Sequence, residues 1–295
     1  TEVTVGAVSR LGVDAAIIFS DILVIPEAMG MHLAFVEGKG PVFEKPLRTE
    51  ADVNTLDTVK VEEQLGYVLA ALRLVRQELA GRVPLIGFAG APWTLAAYMV
   101  EGQGSRQFTN IKSLAYNAPD LLHKLLNLLS TAVANFLSAQ IDAGAQVVQI
   151  FDSWAGILTP EYFRAFSLPY LAKVIRLVKN KGVPIIVFAR DAGHSFAKLS
   201  EIGADVLGVS WTENLATARQ SVQNKVALQG NLDPCALFAS KDVIKKEVEK
   251  VLQAAGEGSG HVFNLGHGIL PTTPVENAKA MVEFVKELSM KFHSR

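Results

Sequence analysis

The stretch Ala15-Ala16-Ile17-Ile18-Phe19-Ser20-Asp21-Ile22-Leu23 decides how the rest of the chain is read. Its small and β-favouring residues ahead of Asp21 predict a strand buried on both faces, as in a parallel sheet, that delivers one carboxylate where it leaves the core. A carboxylate in that position is costly unless something pairs with it. A lone strand-end Asp ordinarily does no more than accept hydrogen bonds from the following turn. Asp21 gains weight because other strands end in the same manner.

Outward from this stretch, apolar runs at 83–90, 145–151, 183–188, 204–209, 225–228 and 261–265 read as further buried strands. Helical spacing separates them. Leu65, Val68, Leu69, Leu72, Val75 and Leu79 share one face of a helix within 57–80, and Pro119 and Gly144 bracket a second over 119–143. Shorter helical segments follow at 194–202, 213–222 and 240–255. Thr159-Pro160 starts a helix that Pro169 breaks or kinks, and Thr273-Pro274-Val275-Glu276 reads as a capping box with proline at N1. Upstream, Val5, Val8 and Leu11 line a helix that Gly12 stops. The breakers Pro26, Gly30, Gly38, Gly40, Pro41 and Pro46 mark a long excursion after the first strand.

Strict strand-then-helix alternation leaves an open doubly wound sheet or a (β/α)8 TIM-type barrel. No Gly-x-Gly-x-x-Gly follows a strand, which weakens the dinucleotide-binding sheet. If the opening helix belongs to a strand upstream of Thr1, the count of eight is complete. The expectation is one barrel domain over 1–295 with its first strand missing from the N-terminus.

Charged residues make up 19% of the 295 and apolar ones 49%, enough for a large core; the formal net charge of −1 offers no general attraction for nucleic acid or a membrane surface. Charges, Gly or Pro interrupt every apolar stretch before it reaches the length of a membrane span. Cys235 is the single cysteine, so an internal disulfide or a site with two thiolates is excluded and a reducing compartment fits. It reads as a small buried hydrophobe after Pro234.

In a barrel the site lies at the C-terminal ends of the strands. Those ends carry Asp21, then 90–98 with Tyr98, then Asp152 and Ser153, Arg190 and Asp191, Ser210 and Trp211, Asn231 and Asp233, and His267 between two glycines. Together they form a polar ring, although singly Ser153 would cap a turn, Trp211 would pack and Tyr98 would be a core aromatic. His32 and His194 lie outside it. No His-x-x-x-His or Cys-x-x-Cys pair supports a metal site, and no Gly-x-Ser-x-Gly elbow supports a serine hydrolase. The residues point to a barrel enzyme needing no cofactor, with Asp21 and His267 facing one cavity; they do not name its substrate.

Phe19-Ser20-Asp21-Ile22-Leu23, Gly87-Phe88-Ala89-Gly90-Ala91-Pro92-Trp93-Thr94-Leu95 with Tyr98-Met99-Val100-Glu101-Gly102, Gln229-Gly230-Asn231-Leu232-Asp233-Pro234 and Asn264-Leu265-Gly266-His267-Gly268 resemble the uroporphyrinogen decarboxylase family. The resemblance spans essentially the whole chain. It implies a (β/α)8 barrel, commonly a homodimer with facing clefts, acting in the cytoplasm on uroporphyrinogen. Four acetate side chains lose carbon dioxide to give coproporphyrinogen III for haem and related tetrapyrroles. The pyrrole, protonated on a ring carbon, is the implied electron sink, so no cofactor and no metal are implied.

By the same resemblance Asp21 is the anion that stabilises the developing cation and accepts from the pyrrole N–H groups. Tyr98 orients the reacting acetate, Ser153 and His267 bond substrate carboxylates, and Phe88 and Phe151 pack on the macrocycle. Asp21, Tyr98 and His267 form the expected catalytic set. Arg190 is a strand-end cation that either meets a carboxylate or forms a structural ion pair. The family also carries two arginines upstream of where this chain starts, which implies weak binding and slow turnover by the chain as written. Two other readings stay open: a non-catalytic tetrapyrrole-binding remnant, and a methyltransferase on the same barrel, which would need thiolate ligands for zinc.

Overall fold

The computed structural model describes residues 1–38 and 40–292. Seven strands build one parallel sheet: β1 (Ala16–Ile17), β4 (Leu85–Gly90), β5 (Val147–Asp152), β6 (Ile185–Ala189), β7 (Val206–Gly208), β8 (Ala227–Leu232) and β9 (His261–Leu265), neighbours in that order. Between β1 and β4 the chain makes an antiparallel hairpin, β2 (Leu33–Val36) with β3 (Gly40–Phe43). The sequence reading missed this hairpin because Gly38, Gly40 and Pro41 look only like breakers, whereas here they surround its turn.

The sheet curls as a TIM-type α/β barrel does, and one hydrogen bond demonstrates it. Gln229 Nε2 on β8 donates to Gln149 Oε1 on β5 at 3.3 Å, both side chains buried. In a flat sheet these strands would stand about 14 Å apart, three spacings of about 4.8 Å. Only a curled sheet brings the two amides together across its concave face. Alternation along each strand then assigns Ile17, Phe88, Phe151 and Phe188 to the same concave face, the lumen.

Helices cover the convex face. The helical register predicted within 57–80 is correct, with Leu69, Leu72, Val75 and Leu79 fully buried, although the segment is divided into Val61–Gln64 and Gly66–Leu79 after a separate Glu50–Asn54 turn. Each such leucine contributes roughly 1.5–3 kcal/mol by leaving water. Gly12 ends the first helix, Glu2–Leu11, in the left-handed conformation at φ 69°, its N–H on Val8 O. Pro169 divides Pro160–Phe166 from Leu168–Val178, as its missing N–H requires. The first helix packs against both Gly66–Leu79 and Val275–Ser289, and Lys286 Nζ reaches Gly12 O, so the two ends of the chain are fastened together.

Three expectations are corrected. The stretch 15–20 is not a two-sided strand: β1 covers only Ala16–Ile17, and beyond it burial alternates, with Ile18 3% and Phe19 76% exposed. The reason lies on the neighbouring strand. Phe88 N donates to Gln140 Oε1 at 2.9 Å and Gln140 Nε2 donates to Phe88 O at 2.8 Å, so a buried amide from the helix Pro119–Asp142 takes the ladder positions that a longer β1 would occupy. The capping box at 273–276 does not form. Pro274 is itself the N-cap, and Thr273 is turned inward, its N–H on Leu270 O and its buried hydroxyl without a partner. Cys235 is exposed, because Asp233 caps a short 3-10 turn over Pro234–Phe238 that buries Leu237 instead.

Candidate active site

At the C-terminal ends of the strands the polar ring divides into two clusters bridged by aromatic rings. Phe88 and Phe151 meet edge to face with centroids 5.6 Å apart, and Phe151 meets Phe188 at 6.3 Å. Gly208 lets Phe188 lean across β7, since a Cβ there would stand 2.7 Å from the ring. The result is an apolar shelf inside the mouth, formed by the predicted Phe88 and Phe151 together with Phe188.

The first cluster surrounds Asp21. Its carboxylate is exposed rather than buried; Oδ1 accepts Leu23 N–H at 2.8 Å, which fixes the turn into the helix Val24–Ala28. Tyr98, half-buried, comes from the helix Pro92–Glu101 that begins directly after β4. Burial pushes its phenol above the ordinary value, the Trp154 indole N–H opposes this, and the negative charge of Asp21 adds to the rise. Tyr98 therefore stays a neutral donor beside a carboxylate. Tyr67 also feels Asp21: burial and the charges of Glu27 and Asp21 raise its phenol.

Trp154 is the member of this cluster that sequence reasoning missed. Its ring lies 5.9 Å from Tyr98 and 4.5 Å from Phe108. The backbone is clamped on both sides, Trp154 N donating to Thr94 Oγ1 at 3.2 Å and Trp93 Nε1 donating to Trp154 O at 2.9 Å. The signal available in the sequence was its place immediately after a polar strand end, Asp152-Ser153. Ser153 is half-buried and its hydroxyl makes no hydrogen bond among the described residues.

Asp152 serves a different purpose from Asp21. It is fully buried, and Thr94 Oγ1 and Ser167 Oγ each donate to it at 2.6 Å. Burial pushes its carboxyl up to about 6 against the pull of those two hydroxyls. It joins the helix carrying Tyr98 to the segment after β5, and it does not face the mouth.

The second cluster comes from β6, β7 and β9. The Arg190 guanidinium stands 5.3 Å from the centre of the Trp211 ring, and Trp211 meets His267 edge to face at 5.5 Å. Gly266 makes this possible: a Cβ there would lie 2.3 Å from Trp211 N. Burial, followed by the charge of Arg190, holds His267 below the ordinary histidine value, against the opposing effects of the Gly268 backbone and of Asp191. His267 is thus a neutral imidazole near pH 7. His194 Nδ1 lies 2.6 Å from Ser195 Oγ, and His32 Nδ1 lies 3.2 Å from Glu44 Oε1.

Among the described residues no group of three His, Cys, Asp or Glu side chains is arranged to hold a metal ion, and no helix is long and apolar enough to cross a membrane. A hollow of about 440 Å³ beside Asp205, Arg219 and Gly260 lies at the opposite, N-terminal ends of the strands. It does not touch the ring.

The family model described as "Uroporphyrinogen decarboxylase (URO-D)" matches residues 1–288. Curated relatives named uroporphyrinogen decarboxylase include one from Hahella chejuensis, 51% identical over 296 residues, and one from Chloroherpeton thalassium, 51% identical over 297. Each match covers 99% of this chain, and 83% and 84% of the respective relative. Among solved structures, a methyltransferase from Methanosarcina mazei superimposes with a TM-score of 0.83 at 22% identity, covering 96% of this chain and 83% of the other. A B12-independent methionine synthase from Shewanella sp. W3-18-1 does so with 0.58 at 12% identity, covering 97% of this chain and 86% of the other. At those identities the structural likeness speaks for the fold alone. With the sequence match running over nearly its whole length, the chain belongs to the uroporphyrinogen decarboxylase family.

Proposed function

We infer that Asp21, Tyr98 and His267 do the catalytic work of this chain, a carboxy-lyase that removes carbon dioxide from the four acetate side chains of uroporphyrinogen III to give coproporphyrinogen III. The observation that carries the assignment of roles is the pairing of one accessible carboxylate, Asp21, with a neutral phenol, Tyr98, at the edge of an aromatic shelf. The shelf offers the flat area a pyrrole ring needs, and the carboxylate meets the pyrrole N–H groups.

Each decarboxylation consumes one proton. Protonation of a pyrrole carbon makes the ring an iminium cation; the bond to the carboxylate carbon breaks and its electron pair neutralises that cation, leaving an exocyclic methylene. A second proton converts the methylene to methyl while the ring carbon returns the first. Asp21 stabilises the cationic stage, which is where a fixed anion lowers the barrier. Tyr98 donates to the reacting acetate. Ser153 and His267, a free hydroxyl and a neutral imidazole, hold other carboxylates without adding negative charge, and Phe88 and Phe151 carry the macrocycle.

The test is anaerobic incubation with uroporphyrinogen III, with oxidised products resolved by chromatography. Coproporphyrin is the expected product. Tight binding without loss of carbon dioxide would reduce the site to a tetrapyrrole-binding one. We extend the reading to a cytoplasmic homodimer. Ile269, Leu270 and Val275, exposed beside His267, offer an apolar rim for a second copy. Sedimentation at a single monomer mass would remove that part.

A further inference from the structure

Arg190 lies outside the set just described, and its surroundings are those of a binding group. Its backbone N–H continues the sheet ladder to Asp152 O at 3.1 Å, so alternation from Phe188 directs its side chain into the mouth, above the aromatic shelf. Two contacts hold the side chain. Trp211 lies against the guanidinium, and Nε stands 3.1 Å from Asp191 Oδ2, close enough for an ion pair, although this buried N–H is not aligned for a hydrogen bond.

Asp191 is itself secured. Its backbone adopts the left-handed conformation at φ 56°, and its other oxygen accepts from Ser210 Oγ at 2.9 Å and Thr212 Oγ1 at 2.7 Å. Neither terminal nitrogen of Arg190 donates a hydrogen bond to a described residue, and the ion pair with Asp191 is closest at Nε. A guanidinium fork matches a carboxylate in two parallel bonds, and here it is oriented before any ligand arrives.

We propose that Arg190 is a substrate-binding residue, its terminal nitrogens gripping one carboxylate of the tetrapyrrole on the side of the mouth opposite Asp21. The proposal rests on the decarboxylase reading and adds a recognition group to it. Because the aromatic shelf separates Arg190 from Asp21, the carboxylate it grips belongs to a pyrrole other than the reacting one. Such a grip acts equally on ground state and transition state, so it appears in KM rather than in kcat.

The experiment compares the unaltered chain with Arg190→Gln and Arg190→Lys in two measurements: steady-state decarboxylation of uroporphyrinogen III, and absorbance titration with uroporphyrin, the oxidised octacarboxylate. For Arg190→Gln, KM and Kd are expected to rise together by about 10- to 100-fold, the value of one charge-assisted fork, with a much smaller fall in kcat. Arg190→Lys recovers part of the loss, since it restores charge but not the fork. Unchanged KM and Kd in Arg190→Gln, or a loss confined to kcat and melting temperature, overturns the proposal and leaves a structural ion pair. Failure of every form to bind uroporphyrin overturns it as well. Binding that depends on Arg190 in a chain that makes no coproporphyrin would instead refute the decarboxylase reading while the grip stands.

Discussion

The two sides of the mouth hold charge in opposite ways. On the side built by β1, β4 and β5, the anion Asp21 is exposed and tied by one local hydrogen bond, and its neighbour Tyr98 is kept neutral. On the side built by β6, β7 and β9, the cation Arg190 lies over the Trp211 ring and is paired with a secured Asp191, and its neighbour His267 is the neutral group. Each side sets a charged side chain beside a neutral hydrogen-bonding partner and a tryptophan ring, Asp21 with Tyr98 and Trp154 on one and Arg190, paired with Asp191, with His267 and Trp211 on the other. An anion near a ring that becomes cationic acts in the transition state. A cation near spectator carboxylates acts in binding. The division of labour follows from sign and position, before any substrate is considered.

The strongest way to break this comparison is Asp21→Asn, which keeps an acceptor for Leu23 N–H while removing the charge. It is expected to lower kcat by about 100- to 1000-fold, the range seen when one preorganised electrostatic group is lost, with a lesser effect on uroporphyrin binding. Equal losses in kcat and in affinity would mean that Asp21 only binds.

Asp152→Asn sharpens the contrast between the two strand-end aspartates. With its carboxyl pushed up to about 6 by burial, the folded state binds more protons than the unfolded one between the ordinary carboxylate value and 6, so native stability falls as pH rises through that window. The cost above it is about 3 kcal/mol, at 1.36 kcal/mol per pKa unit. The difference in urea unfolding free energy between the variant and the unaltered chain should therefore shift in favour of the variant by about that amount from pH 3 to pH 7. A difference independent of pH would show that Asp152 is ordinary in its ionisation.

Tyr98→Phe should lower kcat by about tenfold, one hydrogen bond to a charged group, without altering uroporphyrin affinity to the same degree. The smallest effect belongs to His267. Because its folded value is held below that of the unfolded chain, stability is present above the ordinary histidine value and is lost as pH falls through the lowered one. His267→Gln should flatten that acid limb in thermal melts recorded between pH 7 and pH 5, a small change because His267 is largely exposed and solvent screens its charge.

Much of this was legible in the sequence because it depends on local pattern. Helical spacing gave the covering face of Gly66–Leu79, and strand-end polarity singled out Asp21 and His267 as candidates for one site. What escaped depends on contacts between residues far apart in the chain. Nothing in 15–20 announces that Gln140, more than a hundred residues on, will take the ladder positions beside Phe88. Nor does Trp154 declare that Trp93 and Thr94 will clamp its backbone. Pro274 illustrates a subtler failure: Thr-Pro-x-Glu satisfies the capping pattern, yet the turn from Leu270 draws Thr273 inward before the helix begins. The exposed Cys235 shows the same limit, since composition favours a buried thiol while the Asp233 turn decides which side chain goes in.

The amide bridge between Gln149 and Gln229 has a consequence for traffic. Gln149 precedes Phe151 by two residues, so the bridge crosses the lumen beneath the aromatic shelf. The sheet stays open between β1 and β9, which do not pair among the described residues, but on the side of β5 and β8 the bridge floors the lumen and leaves the mouth above it as the way in. A macrocycle seated on the shelf enters and departs through the mouth that Asp21 and Arg190 flank, and presenting a new acetate to Asp21 requires it to turn within that doorway or to leave and return. Whether partly decarboxylated porphyrinogens escape between rounds is then governed by how firmly the two flanks hold what stands between them.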